Sequence, residues 1–204
     1  MIGSLEFVIL AITSITAVIE PASTIVAYIT LAKDLNESEK RQIVRQSISV
    51  SFWVLVFFAL TGQLLFSIFN ITIAAFQIAG GILLVSVAIR MLHPEGKEYS
   101  EAERENIAIV PLAFPLTAGP GTITTVILLS SQAETLLHTF LVFVGIAVGI
   151  LVLYLGMRYA LKISKLVSDE GLRAVNQLMA IIVLAIAIQF VINGITAAIP
   201  QILQ

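Results

Sequence analysis

From Gln46 to Ile89 the chain carries no Asp, Glu, Lys or Arg. One membrane span needs about 20 mainly apolar residues, so this uncharged stretch is long enough for two. In hydrocarbon a spanning segment pairs its backbone N–H and C=O groups internally, and a helix does this within one segment. The rest of the chain agrees. It is 58% hydrophobic and 12% charged, with a mean hydropathy of +1.02, whereas a soluble domain carries roughly 25% charged residues. The sequence is that of an integral membrane protein. With no cysteine there is no disulfide framework and no thiolate metal site. The opening MIGSLEFVIL has no basic residue before its apolar run, so residue 1 is read as the start of the first span and not as a signal peptide.

Six spans are expected. The first runs from Leu5 to Ala32 and is interrupted at Glu20-Pro21. The next two divide near Phe69-Asn70, where Asn favours a turn, and the third ends near Leu92. The fourth runs from Ile107 to Ser131, interrupted by proline and glycine. The fifth covers Leu136 to Tyr159 and the sixth Leu172 to Ile199. All eleven Lys and Arg then fall in three connections. Lys33, Lys40, Arg41 and Arg45 separate spans one and two. Arg90, Lys97 and Arg104 separate three and four. Arg158, Lys162, Lys165 and Arg173 separate five and six. Basic residues mark the cytoplasmic side, so both termini are expected outside.

An even number of spans with outside termini starts spans one and four on opposite faces. The expected fold class is an all-α membrane protein whose six transmembrane helices form two inverted three-helix repeats, each with its first helix interrupted. Residues 1–92 form the first repeat, 93–106 a cytoplasmic linker and 107–204 the second, together one transmembrane domain. Laying Pro21 on Pro120 pairs VIEPASTIVAYIT with TAGPGTITTVILL. Both are proline-centred breaks followed by small and hydroxyl residues. Interrupted helices in corresponding positions of inverted repeats point to the binding site of a secondary transporter.

Proline inside a helix removes a backbone hydrogen bond, and broken backbone survives at membrane depth only where protein buries it or it lines a cavity. Pro21 and Pro120 suit the first position of a new half-helix. The N–H groups leading such a half-helix favour anions, while the carbonyls ending the preceding one can hold a cation or an ammonium. Two facing breaks therefore offer complementary ends to a zwitterion, of which an amino acid is the obvious small case. The candidate substrate-binding residues are Glu20, Pro21, Ala22, Ser23, Thr24, Thr117, Gly119, Pro120, Gly121 and Thr122. Glu20 is the charged residue nearest a membrane midplane. Such a group costs about 2.5 kcal/mol or more and is functional by default, as an ammonium ligand or a proton carrier. The competing role is a carboxyl that caps the helix beginning at Pro21.

Gln77, Gln189 and Asn193 are possible cavity-lining amides, as is Gln63, although interhelical hydrogen bonding is the commoner use. Gly80-Gly81 and the Gly145–Gly149 pair suit close helix contact. His93 and His138 sit near span ends, far from each other, and no metal site is expected. EGKEYSEAERE reads as a solvated loop.

At these residues the sequence resembles the MarC family of integral membrane proteins. The resemblance covers essentially the whole chain. It is carried by EPASTIVAY, AFQIAGGILLVSVAIRML, PLAFPLTAGPGTITTVILL and AIAIQFVINGI. In the first motif Glu20 occupies the family's acidic or amide position and Pro21 matches. Ser23 stands where glycine is common, and Val26 where a second proline is common. Gly119-Pro120-Gly121 fits the second motif. The resemblance implies a six-span transporter with two interrupted helices at its core, and small neutral amino acids such as glycine and alanine as substrates.

The expected function is a secondary transporter of these amino acids across the cytoplasmic membrane by alternating access. The alternative is a channel or an exporter of another small solute, and an intramembrane enzyme ranks lower. No GxxxxGK[ST] loop, G-x-S-x-G elbow or H-E-x-x-H helix occurs in the sequence. The chain is therefore read as neither a primary pump nor an enzyme. No cofactor is expected, and H+ or Na+ is a possible coupling ion. The expected partners are the zwitterionic substrate and the lipid bilayer, with no nucleic acid.

Overall fold

The computed structural model describes residues 3–32, 35–92, 107–164 and 169–202. The predicted linker 93–106, with His93, Lys97 and Arg104, lies outside the described residues, as do Lys33 and Lys165. Among the described residues there are helices and no strands. In chain order these are α1 (Ser4–Ile19), α2 (Pro21–Leu31), α3 (Glu37–Ile68) and α4 (Ile73–Leu92). A wide-turned segment (Ala108–Thr117) follows, then α5 (Pro120–Ser131), α6 (Leu136–Ser164) and α7 (Asp169–Ile202).

Four stretches are long and apolar enough to cross a membrane: Ser4–Ile29, Glu37–Ile68, Leu136–Ala160 and Ala180–Ile199. The pair formed by Ala108–Thr117 and α5, bent by 54°, makes a fifth. The apolar stretch Ile73–Ile89 of α4 is shorter. At 20 residues α4 as a whole reaches about 30 Å, close to the thickness of the hydrocarbon layer.

Local sequence explains the boundaries. Asn36 starts α3 by accepting the N–H groups of Ser38 and Glu39, both at 3.0 Å, while Glu39 accepts the Asn36 N–H at 2.8 Å. This reciprocal capping satisfies donors that a helix start leaves free. The turn after α3 is at Phe69-Asn70, where Asn70 has φ 51°, a left-handed conformation that Asn tolerates better than most residues.

The Ala108–Thr117 segment, the first part of the fourth span expected to be interrupted by proline and glycine, is wound in wide turns. Val110 (φ −124°, ψ 115°) and Phe114 (φ −135°, ψ 130°) are extended, and each precedes a proline whose ring disfavours the α conformation before it. Both the Val110-Pro111 and Phe114-Pro115 peptides are cis. The surviving bonds are five residues apart, from Leu112 N–H to Ile107 O (3.4 Å) and from Ala118 N–H to Ala113 O (2.8 Å).

The bundle is arranged for lipid. Large apolar side chains such as Leu5, Trp53, Leu60, Phe140 and Ile181 face outward. Ser23, Thr24, Ser47, Ser51, Thr117 and Thr122 are buried inside. α1 and α2 run parallel to α6 in one long seam. Phe7 stacks on His138 with ring centres 4.5 Å apart, Ala11 backs onto Gly145, Ile19 onto Gly149 and Ile25 onto Gly156. The break at Glu20 does not interrupt this seam.

α4 and α7 form the other close seam, and it is antiparallel. A Cβ on Gly81 would lie 2.7 Å from the Ala187 carbonyl, and one on Gly194 would lie 2.7 Å from the Ala74 carbonyl. Each glycine stands seven positions after the alanine on its own helix, so the contact is reciprocal. Gly80, Gly81, Gly145 and Gly149 therefore all serve close contact within one chain.

Candidate functional site

Both breaks have the proline geometry expected of them. Glu20 links α1 to α2 in a left-handed conformation (φ 49°, ψ 63°), and Pro21 is the first residue of α2. Gly119 (φ −77°, ψ 174°) precedes α5, and Pro120 is its first residue. A proline there forfeits only an N–H that a helix start leaves unpaired anyway. The Glu20 carboxylate does not cap α2. The side chain is half-buried.

The breaks meet. The Thr122 hydroxyl, in the first turn of α5, lies 3.2 Å from the Val18 carbonyl in the last turn of α1 and 2.9 Å from the Thr117 carbonyl. Val18 belongs to the terminal turn whose carbonyls lack intrahelical partners. Thr117 in turn donates to the Leu112 carbonyl at 2.7 Å, which braces the wide-turned segment. Pro120 packs so tightly on α4 that a Cβ at Gly80 would overlap its ring.

A cavity of about 20 Å³ lies where the breaks meet, enough for about one water. Glu20, Ser23, Thr24, Gly119, Gly121 and Thr122 line it. The Thr24 hydroxyl, on the cavity wall, is buried and has no hydrogen-bond partner. The N–H groups leading α2 and α5 start at these same residues and carry the partial positive charge of a helix N-terminus.

The other candidates sit elsewhere. Pro21, Ala22, Thr117 and Pro120 flank the cavity without lining it. Gln189 and Asn193 are exposed and pair with each other at 2.7 Å, one helical turn apart. Gln77 is half-buried outside the cavity wall, and Gln63 lines a separate groove near the ends of α3 and α5. The remaining cavity walls carried no signal in sequence. They are Val18 on α1, Leu84 on α4, Pro115 and Leu116 before the second break, and Val183, Ile186 and Phe190 on α7. On α7 only Phe190, within AIAIQFVINGI, stands out by size from the aliphatic run around it.

The model of the MarC family, described as integral membrane proteins, matches residues 5–199. A UPF0056 membrane protein of Methanocaldococcus jannaschii is 32% identical over 201 residues, covering 95% of this chain and 98% of the relative. A UPF0056 membrane protein of Aquifex aeolicus is 33% identical over 193 residues, covering 91% and 90%. The inner membrane protein MarC of Citrobacter koseri is 32% identical over 202 residues, covering 86% and 87%. No solved structure matches. A family model spanning nearly the whole chain, with relatives matched along most of their lengths, establishes that the chain belongs to the MarC family of integral membrane proteins.

Proposed function

We propose that this protein is a secondary transporter of small neutral amino acids, glycine and alanine, that works by alternating access in the cytoplasmic membrane. One observation carries the reading: two proline-started half-helices converge on one small cavity that is also lined by Glu20 and the unpartnered Thr24 hydroxyl. The N–H groups leading α2 and α5 suit a carboxylate. Glu20 and the carbonyls ending α1 suit an ammonium. Glycine and alanine present both charges with little else, which matches a small space where the polar residues of the breaks face apolar side chains of α4 and α7.

The cavity has room for a water and is too small for an amino acid, so loading requires the breaks to separate. The Thr122–Val18 hydrogen bond is the contact that opening must give up. Rocking of one half against the other would make and break it once per cycle. H+ carried on Glu20, or Na+ held by the same oxygen atoms, is the coupling ion in this reading.

Six spans with both termini outside, in two inverted repeats, form the membrane arrangement. The reciprocal α4–α7 contact supports it, since Ala74 and Gly81 on one helix exchange roles with Ala187 and Gly194 on the other. The parallel course of α1 and α6 supports it too, because spans one and five both enter from outside in this topology. The printed name of the Citrobacter relative supports the inner membrane as the location.

Counterflow tests the proposal. Proteoliposomes loaded with unlabelled glycine should accumulate labelled glycine or alanine from outside, saturably, and excess external substrate should abolish it. Absence of counterflow by folded, inserted protein would remove the amino-acid assignment. Flux that rises linearly with concentration and never saturates would favour a channel.

A further inference from the structure

The cavity has two unlike halves. The breaks supply its polar half. α4 and α7 supply an apolar half, with Leu84, Val183, Ile186 and Phe190. Phe190 is the largest of these walls and reaches the second break. A Cβ built on Gly121 would lie 2.6 Å from its Cζ and 3.1 Å from its Cε1. The ring edge therefore rests on the backbone of the first turn of α5, with only the glycine hydrogen between them. Its neighbours in sequence, Ile188 and Gln189, are exposed, so Phe190 marks the inward face of α7 at this level.

We infer that Phe190 is the residue that limits substrate side-chain size, closing the apolar end of the site against Gly121. The inference rests on the transport reading above. A substrate carboxylate on the N–H groups of Gly121 and Thr122 has its α-carbon next to that turn. Any side chain that does not point back at the polar half meets the Phe190 ring. The closed arrangement leaves no room there for a side chain, so on loading a hydrogen or methyl asks least of the ring, whereas a branched four-carbon side chain must displace it furthest. An apolar wall discriminates by about 10- to 200-fold for each methylene it excludes, so one aromatic ring suffices to separate alanine from leucine.

The test is glycine counterflow in proteoliposomes with unlabelled leucine as competitor, for the wild type, Phe190→Ala and Phe190→Leu. Wild-type exchange should resist leucine. In Phe190→Ala the glycine exchange that remains should be competed by leucine, relative to unlabelled glycine, at least about tenfold better than in the wild type, with Phe190→Leu in between. Gly121→Ala provides the converse, because its new methyl meets the ring and should lower exchange of alanine more than of glycine. Glycine exchange by both Phe190 variants with leucine still excluded would overturn the inference and leave the transport reading intact. Failure of both variants to assemble would also overturn it, making Phe190 a packing residue. No glycine exchange by the wild type would take down the transport reading and this inference together.

Discussion

The Thr122 hydroxyl and the Val18 carbonyl, 104 positions apart in sequence and 3.2 Å apart in space, join the two broken spans. The contact unites the start of one half-helix with the end of another. The single hydroxyl proton is shared between the Val18 carbonyl, which α1 leaves unpaired at its last turn, and that of Thr117 at 2.9 Å. Thr122→Val keeps the shape and removes the donor, leaving the Val18 and Thr117 carbonyls short of a partner. The expected cost is about 1–3 kcal/mol, read as a lower unfolding midpoint in detergent. An unchanged midpoint would mean that the two breaks are held together by packing alone.

Glu20 combines an unusual backbone with an unusual side chain, and substitutions separate the two. A left-handed non-glycine residue costs about 1–2 kcal/mol, so Glu20→Gly should be more stable than Glu20→Ala by about 1 kcal/mol. Glu20→Gln keeps size and polarity and should fold as the wild type does, since the carboxylate caps nothing. Its glycine counterflow should fall at least about tenfold, the scale on which a lost proton-transfer or charge partner is felt. Wild-type counterflow by Glu20→Gln would show that the charge has no part in the cycle.

Gly80 is the seat of Pro120. A methyl there overlaps the proline ring, and overpacking of this kind costs about 1–3 kcal/mol. Gly80→Ala should therefore lower thermal stability and shift α5 away from α4. Gly3 is the control, because a Cβ added there would meet nothing within 4 Å. Gly3→Ala should leave the midpoint where it is.

Topology predicts an accessibility pattern. A cysteine introduced at Gly3, in a chain without native cysteines, should react with a membrane-impermeant maleimide from outside intact cells. One at Ser38, at the start of α3, should react only after the membrane is permeabilised. The opposite pattern would turn the molecule over.

The two proline starts, the turn at Asn70 and the apolar spans were legible because each has a local cause. Proline sets φ and lacks a donor, Asn tolerates a left-handed turn, and a span needs its length. The wide turns of Ala108–Thr117 were less so. PLAFP shows that a helix must break there, but two prolines four apart permit more than one path. The walls on α4 and α7 were illegible for a different reason. In a soluble helix polarity separates inside from outside, whereas here Ile186 faces the cavity and Ile188 faces lipid with the same side chain. The amides misdirected for a related reason. Gln189 and Asn193 look like cavity groups, yet one turn apart they satisfy each other on the outer face.

The α4–α7 seam bears on how the bundle can move. Where Gly81 meets the Ala187 carbonyl and Gly194 meets that of Ala74, the backbones approach closely, and the Val191 and Ile78 side chains seat over the two glycines. Translation along such a contact means lifting these two side chains from their glycines, a local change. Pulling the helices apart would open a gap at a tight backbone contact and forfeit its dispersion energy. The displacement this pair favours is shear, a glide of one helix along the other, in place of a hinge that swings them open.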